Sequence, residues 1–577
     1  MNYHIRRHTD QPHTLVVSYS FRARNAKTFI QIPFWRPGRY EAGNFGRNYF
    51  GFEAFADESP IAFRKVQPLV WELDTPIDTD IMVTYRCLAA ELTAGNTYLD
   101  DDVMLINPVN ALVYAHGFEE EPCRFQVEFP EGWTVASGFK KDQSKIEKAG
   151  QVHYVASGVQ ELFDTPVLAA ANMKTLKYEE NGIPFYVHLA CEGLPNFTQL
   201  ISDFEAFTRS QIKAFGGFPV DQYHFLILLL PYKAYHGVEH ENSTVIIFGP
   251  SEELAQWPAY KELLGVSSHE LYHTWNVKAL RPADWTPYDF TGPDYSRLGY
   301  VAEGVTTYMG DWMLWNSGAF DDAGFLAELS THMQRHIDNE GRLHQSLADS
   351  SVDTWIDGYG KAAPGRRVSI YVEGALLALI CDCRLLGATE GDFGLNDVMR
   401  RLYEKFPKGR GYTEEDYWGE MAHDNNCDWT ELRKKVVDGR GGIEDLLPAA
   451  LSTVGIIIDA QPSALPWEAK HGLVLQMVGN SALVALAMSG SPAVNAGLWQ
   501  GDIIVSIAGE VPQHYLETKL DIEGLELEVI RGGRQIRTKL KADGKVWRKI
   551  YAVEREDLEN QLFDLWRNSV HSYSTNI

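Results

Sequence analysis

The segment Ser-Ser-His-Glu-Leu-Tyr-His-Thr-Trp at 267–275 constrains this chain most. Its two histidines, His269 and His273, stand four residues apart, and a helix sets such a pair one above the other on one face, with both imidazoles able to reach a single ion. Apolar spacing around the motif predicts a helix from Lys261 to about Val277. Glu270 falls beside the histidine face, where a carboxylate would serve as general base for a zinc-activated water. A third ligand has to come from elsewhere in the chain. Glu303 lies thirty positions beyond His273, in LGYVAEGVTTYMGDWML, an apolar segment read as a helix over about 299–316. An ionised carboxylate in such surroundings is costly unless it is paired, and zinc relieves that cost. Asp284, Asp289 and Asp294 occupy an intervening loop containing Pro and Gly, where solvated acids are ordinary, so Glu303 is the expected ligand.

A chain of 577 residues is too long for one ordinary core, and several domains are expected. The first 170 or so residues read as strands. Leu15, Val17, Tyr19 and Phe21 alternate with more polar neighbours, as do Ile81, Val83, Tyr85 and Cys87, then Cys123, Phe125, Val127 and Phe129. Nothing there assembles a catalytic set, so the region is expected to be a scaffold or substrate-access domain. The pattern changes near 196–216, where Leu200, Phe204, Phe207 and Phe215 mark one helix face ended by Gly216 and Gly217. Beyond it YHFLILLLP and TVIIF read as buried strands flanking the loop KAYHGVEHENS, and a further helix is expected at about 366–387. GRGGIEDLLP near 439–448 marks another boundary, and Leu558, Leu562, Leu565 and Trp566 predict a terminal helix that packs back on a neighbour.

Composition excludes some partners. The 52 basic residues against 78 acidic ones give a formal charge of -26, which repels phosphate backbones and anionic lipid, so nucleic acid is a poor candidate. No stretch has the length and apolarity of a membrane span, and MNYHIRRHTD leads into no apolar signal core, which points to a cytoplasmic protein. The six cysteines are scattered without the spacing of a disulfide framework or a thiolate zinc site. Cys381 and Cys383, two residues apart in an apolar helix, are expected to pack in the core.

HELYHTWNVKALRP, the glutamate of AEGVTTY and the loop GVEHENS, in that company with PFWRPGRY at 33–40, resemble the M61 glycyl aminopeptidases, a thermolysin-like zinc peptidase family, along most of the chain. The resemblance implies one Zn²⁺ per chain and release of small amino-terminal residues such as Gly or Ala. It also implies that a glutamate in a Gly-x-x-Glu type motif grips the substrate's free amine. The nearest match is Glu239, one residue closer to Gly237 than usual, with Gly237 and His240 as neighbouring substrate-binding candidates and Glu241 as a competing anchor. Relatives place an oxyanion-stabilising tyrosine where RRVSIYVEGALLALICD carries Tyr371, although this chain reads Tyr-Val-Glu-Gly where a lysine commonly precedes the glycine. Tyr371 could equally be a core tyrosine. Trp275, Asn276, Lys278 and Arg281 also match, without assigned chemistry, and Thr307 is a candidate for orienting Glu303. GSPAVNAGLWQGDIIVSIAG, from Gly490 to Gly509, resembles a PDZ domain, which binds an extended peptide or C-terminal carboxylate beside a strand edge.

The expected architecture is multidomain α+β: an N-terminal antiparallel β domain (1–170), a thermolysin-like mixed α/β catalytic domain (171–447), a C-terminal PDZ domain (448–545) and a helical tail (546–577). The expected function is a zinc aminopeptidase acting on peptide substrates. The rivals are a zinc endopeptidase with an open cleft, and a PDZ-based binding protein with a vestigial metal site.

Overall fold

Residues 1–191, 197–360, 362–423, 427–556 and 559–569 are described by a computed structural model. In Thr14–Arg22 the side chains of Leu15, Val17, Tyr19 and Phe21 are buried while Val16, Ser18 and Ser20 are more exposed, as a pleated strand with one covered face requires. This strand lies inside an eight-stranded sheet between Asn2–Arg7 and Asp80–Leu88, with Tyr19 opposite Tyr3 on one side and Val83 on the other. The sheet is not purely antiparallel, as the alternation alone suggested. Asn2–Arg7 runs parallel to Cys123–Glu128, because the chain crosses through two four-stranded sheets before returning. Aromatic rings fill the space between these layers, with Tyr3 and Tyr19 stacked at 4.6 Å and Tyr49 and Tyr85 at 5.0 Å.

Tyr223–Leu229 and Ser243–Gly249 are buried along their whole length, the pattern of strands covered on both faces. They centre a five-stranded mixed sheet in the order Met173–Glu180, Ile183–Ala190, Tyr223–Leu229, Ser243–Gly249, Ala234–Glu239. The last of these, called the anchor strand below, falls in the segment 233–243 that the sequence suggested was loop. It pairs antiparallel with Ser243–Gly249, setting Gly237 opposite Ile246 and Glu239 opposite Thr244. As an edge strand it has one neighbour only, so glycine and polar residues are tolerated there and mask its extended character. Helix Phe197–Phe215 buries Leu200, Phe204, Phe207 and Phe215, and ends where Gly216 turns left-handed at φ 78°.

Two helices face each other across the site. The motif helix spans Trp257–Tyr272, and the ligand helix begins as a π-helical turn, Tyr300–Val305, that continues as Thr306–Ser317. Glycine sets their closeness: a methyl carbon on Gly310 would stand 3.1 Å from the His269 Cα, and Ser268 Oγ donates to the Gly310 carbonyl at 2.7 Å. A third helix, Val372–Ala388, starts six residues later than the spacing suggested, which leaves Tyr371 at its N-cap. It crosses the ligand helix at Gly374, where a Cβ would lie 2.7 Å from the Gly304 Cα.

The chain then leaves this region through Ile456–Pro462 and returns through its antiparallel partner Lys549–Arg555. Between them lies a five-stranded antiparallel sheet with its own core, including Leu473, Val484, Ile504, Leu527 and Val529. The tail is therefore not helical throughout, because 549–555 completes a two-stranded sheet before helix Gln561–Asn568. That helix packs back on the catalytic core: Trp566 sits 5.0 Å from Trp315 and donates to Asp382 at 3.0 Å, while Leu562 and Leu565 cover Gly391. Leu558 lies outside the described residues. The buried thiols of Cys87, Cys123, Cys381 and Cys383 form no disulfide, and among the described residues no helix is long and apolar enough to cross a membrane.

Candidate active site

The two motif histidines and Glu303 converge. His269 Nε2 and His273 Nε2 are 3.0 Å apart, and Glu303 Oε2 stands 3.9 Å and 3.4 Å from them respectively. Although the helix ends at Tyr272, the His273 amide still bonds the His269 carbonyl at 3.2 Å, which preserves the i, i+4 stacking. His273 Nδ1 donates to the Asn276 carbonyl at 2.7 Å. A carbonyl can only accept, so the proton sits on Nδ1 and the Nε2 lone pair faces inward, as a metal ligand requires. The Asn276 side chain ties this turn to the ligand helix, donating to the Val301 carbonyl at 3.0 Å and to Thr306 Oγ1 at 3.1 Å. Thr306 thus braces the His273 turn, while the hydroxyl of Thr307, the residue expected to orient Glu303, has no hydrogen-bond partner. The π-turn at Tyr300–Val305 shifts the helical phase by enough to make neighbouring threonines indistinguishable from sequence spacing.

Glu270 is 5% exposed, and its Oε2 has no hydrogen-bond partner. Burial pushes its carboxyl up to about 8, with the Glu239 and Glu303 charges adding and His273 opposing. It lies against the anchor strand at Gly237, where a Cβ would stand 2.7 Å from Glu270 Cδ and 2.8 Å from Val266 Cγ2. Gly237 thus makes room for Glu270. For His273, burial disfavours the charged ring, and the Glu303 carboxylate that draws positive charge toward Nε2 would draw a metal cation to the same place. Three donor atoms that converge on one another, beside two more buried carboxylates, fit a divalent cation, because a cation offsets what their burial together costs.

Glu239 ends the anchor strand, is 4% exposed and shares a tight group with Glu270 and His273, their donor atoms within 4.8 Å of one another. Glu241, by contrast, points to the surface and pairs with Lys408. His240 is turned from the cleft onto Asp164, 3.3 Å from its Oδ1. Tyr371 stands beside the metal ligands, its ring 6.5 Å from that of His269 and its hydroxyl 3.4 Å from that of Tyr359. Burial and the Glu303 charge push its phenol well up. Glu373, two residues on, faces away into a buried contact with His336 Nδ1 at 2.7 Å.

The N-terminal domain, expected as a scaffold or substrate-access domain, reaches the site. Tyr40 donates to Glu303 Oε1 at 2.8 Å. Gly38, left-handed at φ 78°, closes on Glu239, and a Cβ there would lie 2.8 Å from its Cδ. Arg36 is buried nearby, and burial lowers its guanidinium pKa despite the Glu239 charge. All three lie in PFWRPGRY, whose only sequence signal was the resemblance it carried.

Comparison with known proteins agrees with this architecture. Residues 2–171 match the Peptidase M61 N-terminal domain and residues 262–377 the M61 glycyl aminopeptidase model. An aminopeptidase N family protein from Idiomarina loihiensis shares the fold, with a TM-score of 0.90, 22% identity, and coverage of 99% of this chain and 100% of that one. A variant of an M1 zinc metallopeptidase from Deinococcus radiodurans, bound to a Tyr-Ser-Ala substrate, is more distant, at TM-score 0.49 and 15% identity over 76% of this chain and 94% of that one. No curated protein matches. Both characteristic M61 peptidase segments are thus present in order around one buried site, and the chain is a metallopeptidase.

Proposed function

We propose that the protein is a zinc aminopeptidase that removes small residues, glycine or alanine, from the amino end of peptides. The observation that carries this reading is the convergence of His269 Nε2, His273 Nε2 and Glu303 Oε2 within 3.0 to 3.9 Å, with Glu270 beside them. Two imidazoles and a carboxylate suit zinc. One Zn²⁺ held by these three residues supplies Lewis-acid polarisation of the scissile carbonyl and activation of water. Glu270 takes a proton from the attacking water and returns it to the leaving amine. The Tyr371 phenol donates to the developing oxyanion. Glu239 receives the α-ammonium and so selects the first peptide bond. Closure of Gly38 on Glu239 supports an end-directed site over the open cleft of an endopeptidase. The preference for glycine or alanine follows the family alone.

The proposed division keeps 1–170, 171–447, 448–545 and 546–577, with a PDZ-like third unit. In support, Ser491 Oγ caps the short helix Pro492–Asn495, and Leu473–Val478 is an edge strand open to an extended peptide or C-terminal carboxylate. Unbridged buried thiols accord with the cytoplasm.

The test is hydrolysis of glycyl- and alanyl-arylamides and their N-acetyl forms by native, chelator-stripped and zinc-restored protein beside Glu270→Gln. Zinc-dependent cleavage of the free-amine forms only, abolished by the substitution, is expected. Equal cleavage of acetylated peptides would mean an endopeptidase, and biological activity surviving Glu270→Gln would mean a binding protein.

A further inference from the structure

Lys278 lies in the tail of the HExxH segment, and no step above uses it. Its side chain is fully buried, an expensive place for an ammonium unless specific partners offset the lost hydration. It has two. Nζ donates to Asp164 Oδ1 at 2.8 Å and stands 3.9 Å from Glu239 Oε1. Asp164 comes from the N-terminal domain and does more than balance one charge. Its Oδ2 accepts the Glu241 backbone amide at 3.0 Å, and Oδ1 also meets His240 Nδ1 at 3.3 Å. The turn following the anchor strand is thus gripped by a single carboxylate from another domain, with Lys278 bridging that carboxylate to Glu239. Burial works against the charged form of Asp164, yet Lys278 and His240 hold it well below the usual carboxylate range.

The unequal distances decide what the ammonium does. Direct pairing of Lys278 with Glu239 would quench the carboxylate for any incoming amine. Pairing at 2.8 Å with Asp164 satisfies the lysine first, and at 3.9 Å it only leans on Glu239 Oε1, an atom with no hydrogen-bond partner. Gly38 confines the same carboxylate from the other side.

We propose that Lys278, held by Asp164, is a positioning residue for the amine subsite, fixing the Glu239 carboxylate where a substrate α-ammonium is received. The proposal rests on the reading of Glu239 as the amine anchor. It gives Lys278 a function that acts on substrate binding and leaves bond cleavage nearly untouched.

Four variants of the full-length zinc-loaded protein test it: Lys278→Met, Asp164→Asn, Glu239→Gln and the double variant Lys278→Met with Glu239→Gln. Each is measured for KM and kcat on alanyl-arylamide, for bound zinc and for thermal stability. Loss of positioning should raise KM by about tenfold or more in Lys278→Met while kcat changes by less than about threefold and zinc stays bound. Asp164→Asn keeps the side-chain shape and releases Lys278 onto Glu239, so it should raise KM to a similar degree, and it carries the test if Lys278→Met fails to fold. The double variant should be no worse in KM than Glu239→Gln alone, because the lysine would act only through that carboxylate. A KM unchanged in Asp164→Asn and Lys278→Met, with only stability reduced, would overturn the proposal and leave a structural ion pair. Additive effects in the double variant would overturn it as well. If Glu239→Gln leaves KM unchanged, it is the anchor reading itself that fails, and the proposal falls with it.

Discussion

Substituting Gly237→Ala should separate activity from stability. Gly237 lies in regular pairing opposite Ile246 on the anchor strand, so alanine meets no backbone obstacle, and its cost to the fold is the crowding of Val266, about 1 to 3 kcal/mol. The added carbon, however, would stand 2.7 Å from Glu270 Cδ and 2.8 Å from Val266 Cγ2, where ordinary contact begins at 3.4 Å. Glu270 is a flexible side chain whose Oε2 has no hydrogen-bond partner, so it yields before the strand does. Its carboxylate retreats by roughly 1 Å, and a misplacement of that size at a general base costs about 10²-fold in kcat, equivalent to about 2.7 kcal/mol of barrier. The assay is the initial rate on alanyl-arylamide at saturating substrate, with bound zinc and the melting temperature measured on the same preparation. A variant with full zinc and kcat within about threefold of the parent would refute the placement of Glu270 as the base.

Tyr40→Phe removes the hydroxyl that holds Glu303 Oε1, and zinc affinity should fall about 10- to 100-fold in a chelator competition; unchanged affinity would mean that the N-terminal domain does not tune the site. Thr306→Val should weaken zinc binding by loosening the Asn276 turn while Thr307→Val should not, and the reverse order would contradict the bracing described. His336, raised to about 9 by Glu373 and Glu444 against the effect of burial, binds its proton more tightly folded than unfolded, where 6.5 applies. Its contribution, up to about 3 kcal/mol, is therefore complete below pH 6.5 and lost as pH rises through 9. Melting temperatures across that window should fall in the parent and flatten in His336→Gln; parallel profiles would show that the group does not carry the dependence.

The features legible in the residue order are local in origin. His269 and His273 meet because a helix repeats every 3.6 residues, and the alternation from Leu15 to Phe21 specifies a covered strand face whatever surrounds it. The carboxylate at 303 was legible because an apolar helix tolerates such a group only with a partner. The anchor strand was not, since its glycine and polar residues answer to the site it lines, and their extended pairing becomes visible only beside Ser243–Gly249. The N-terminal domain's part in the site was equally hidden. Tyr40 meets Glu303 across 263 residues of chain and Asp164 meets Lys278 across 114. No periodicity encodes such contacts, because they depend on where whole domains dock, and docking is set by the summed shape and burial of many side chains. Tertiary structure alone therefore decided which charges stand next to Glu239, which threonine braces His273, and that two domains close one site.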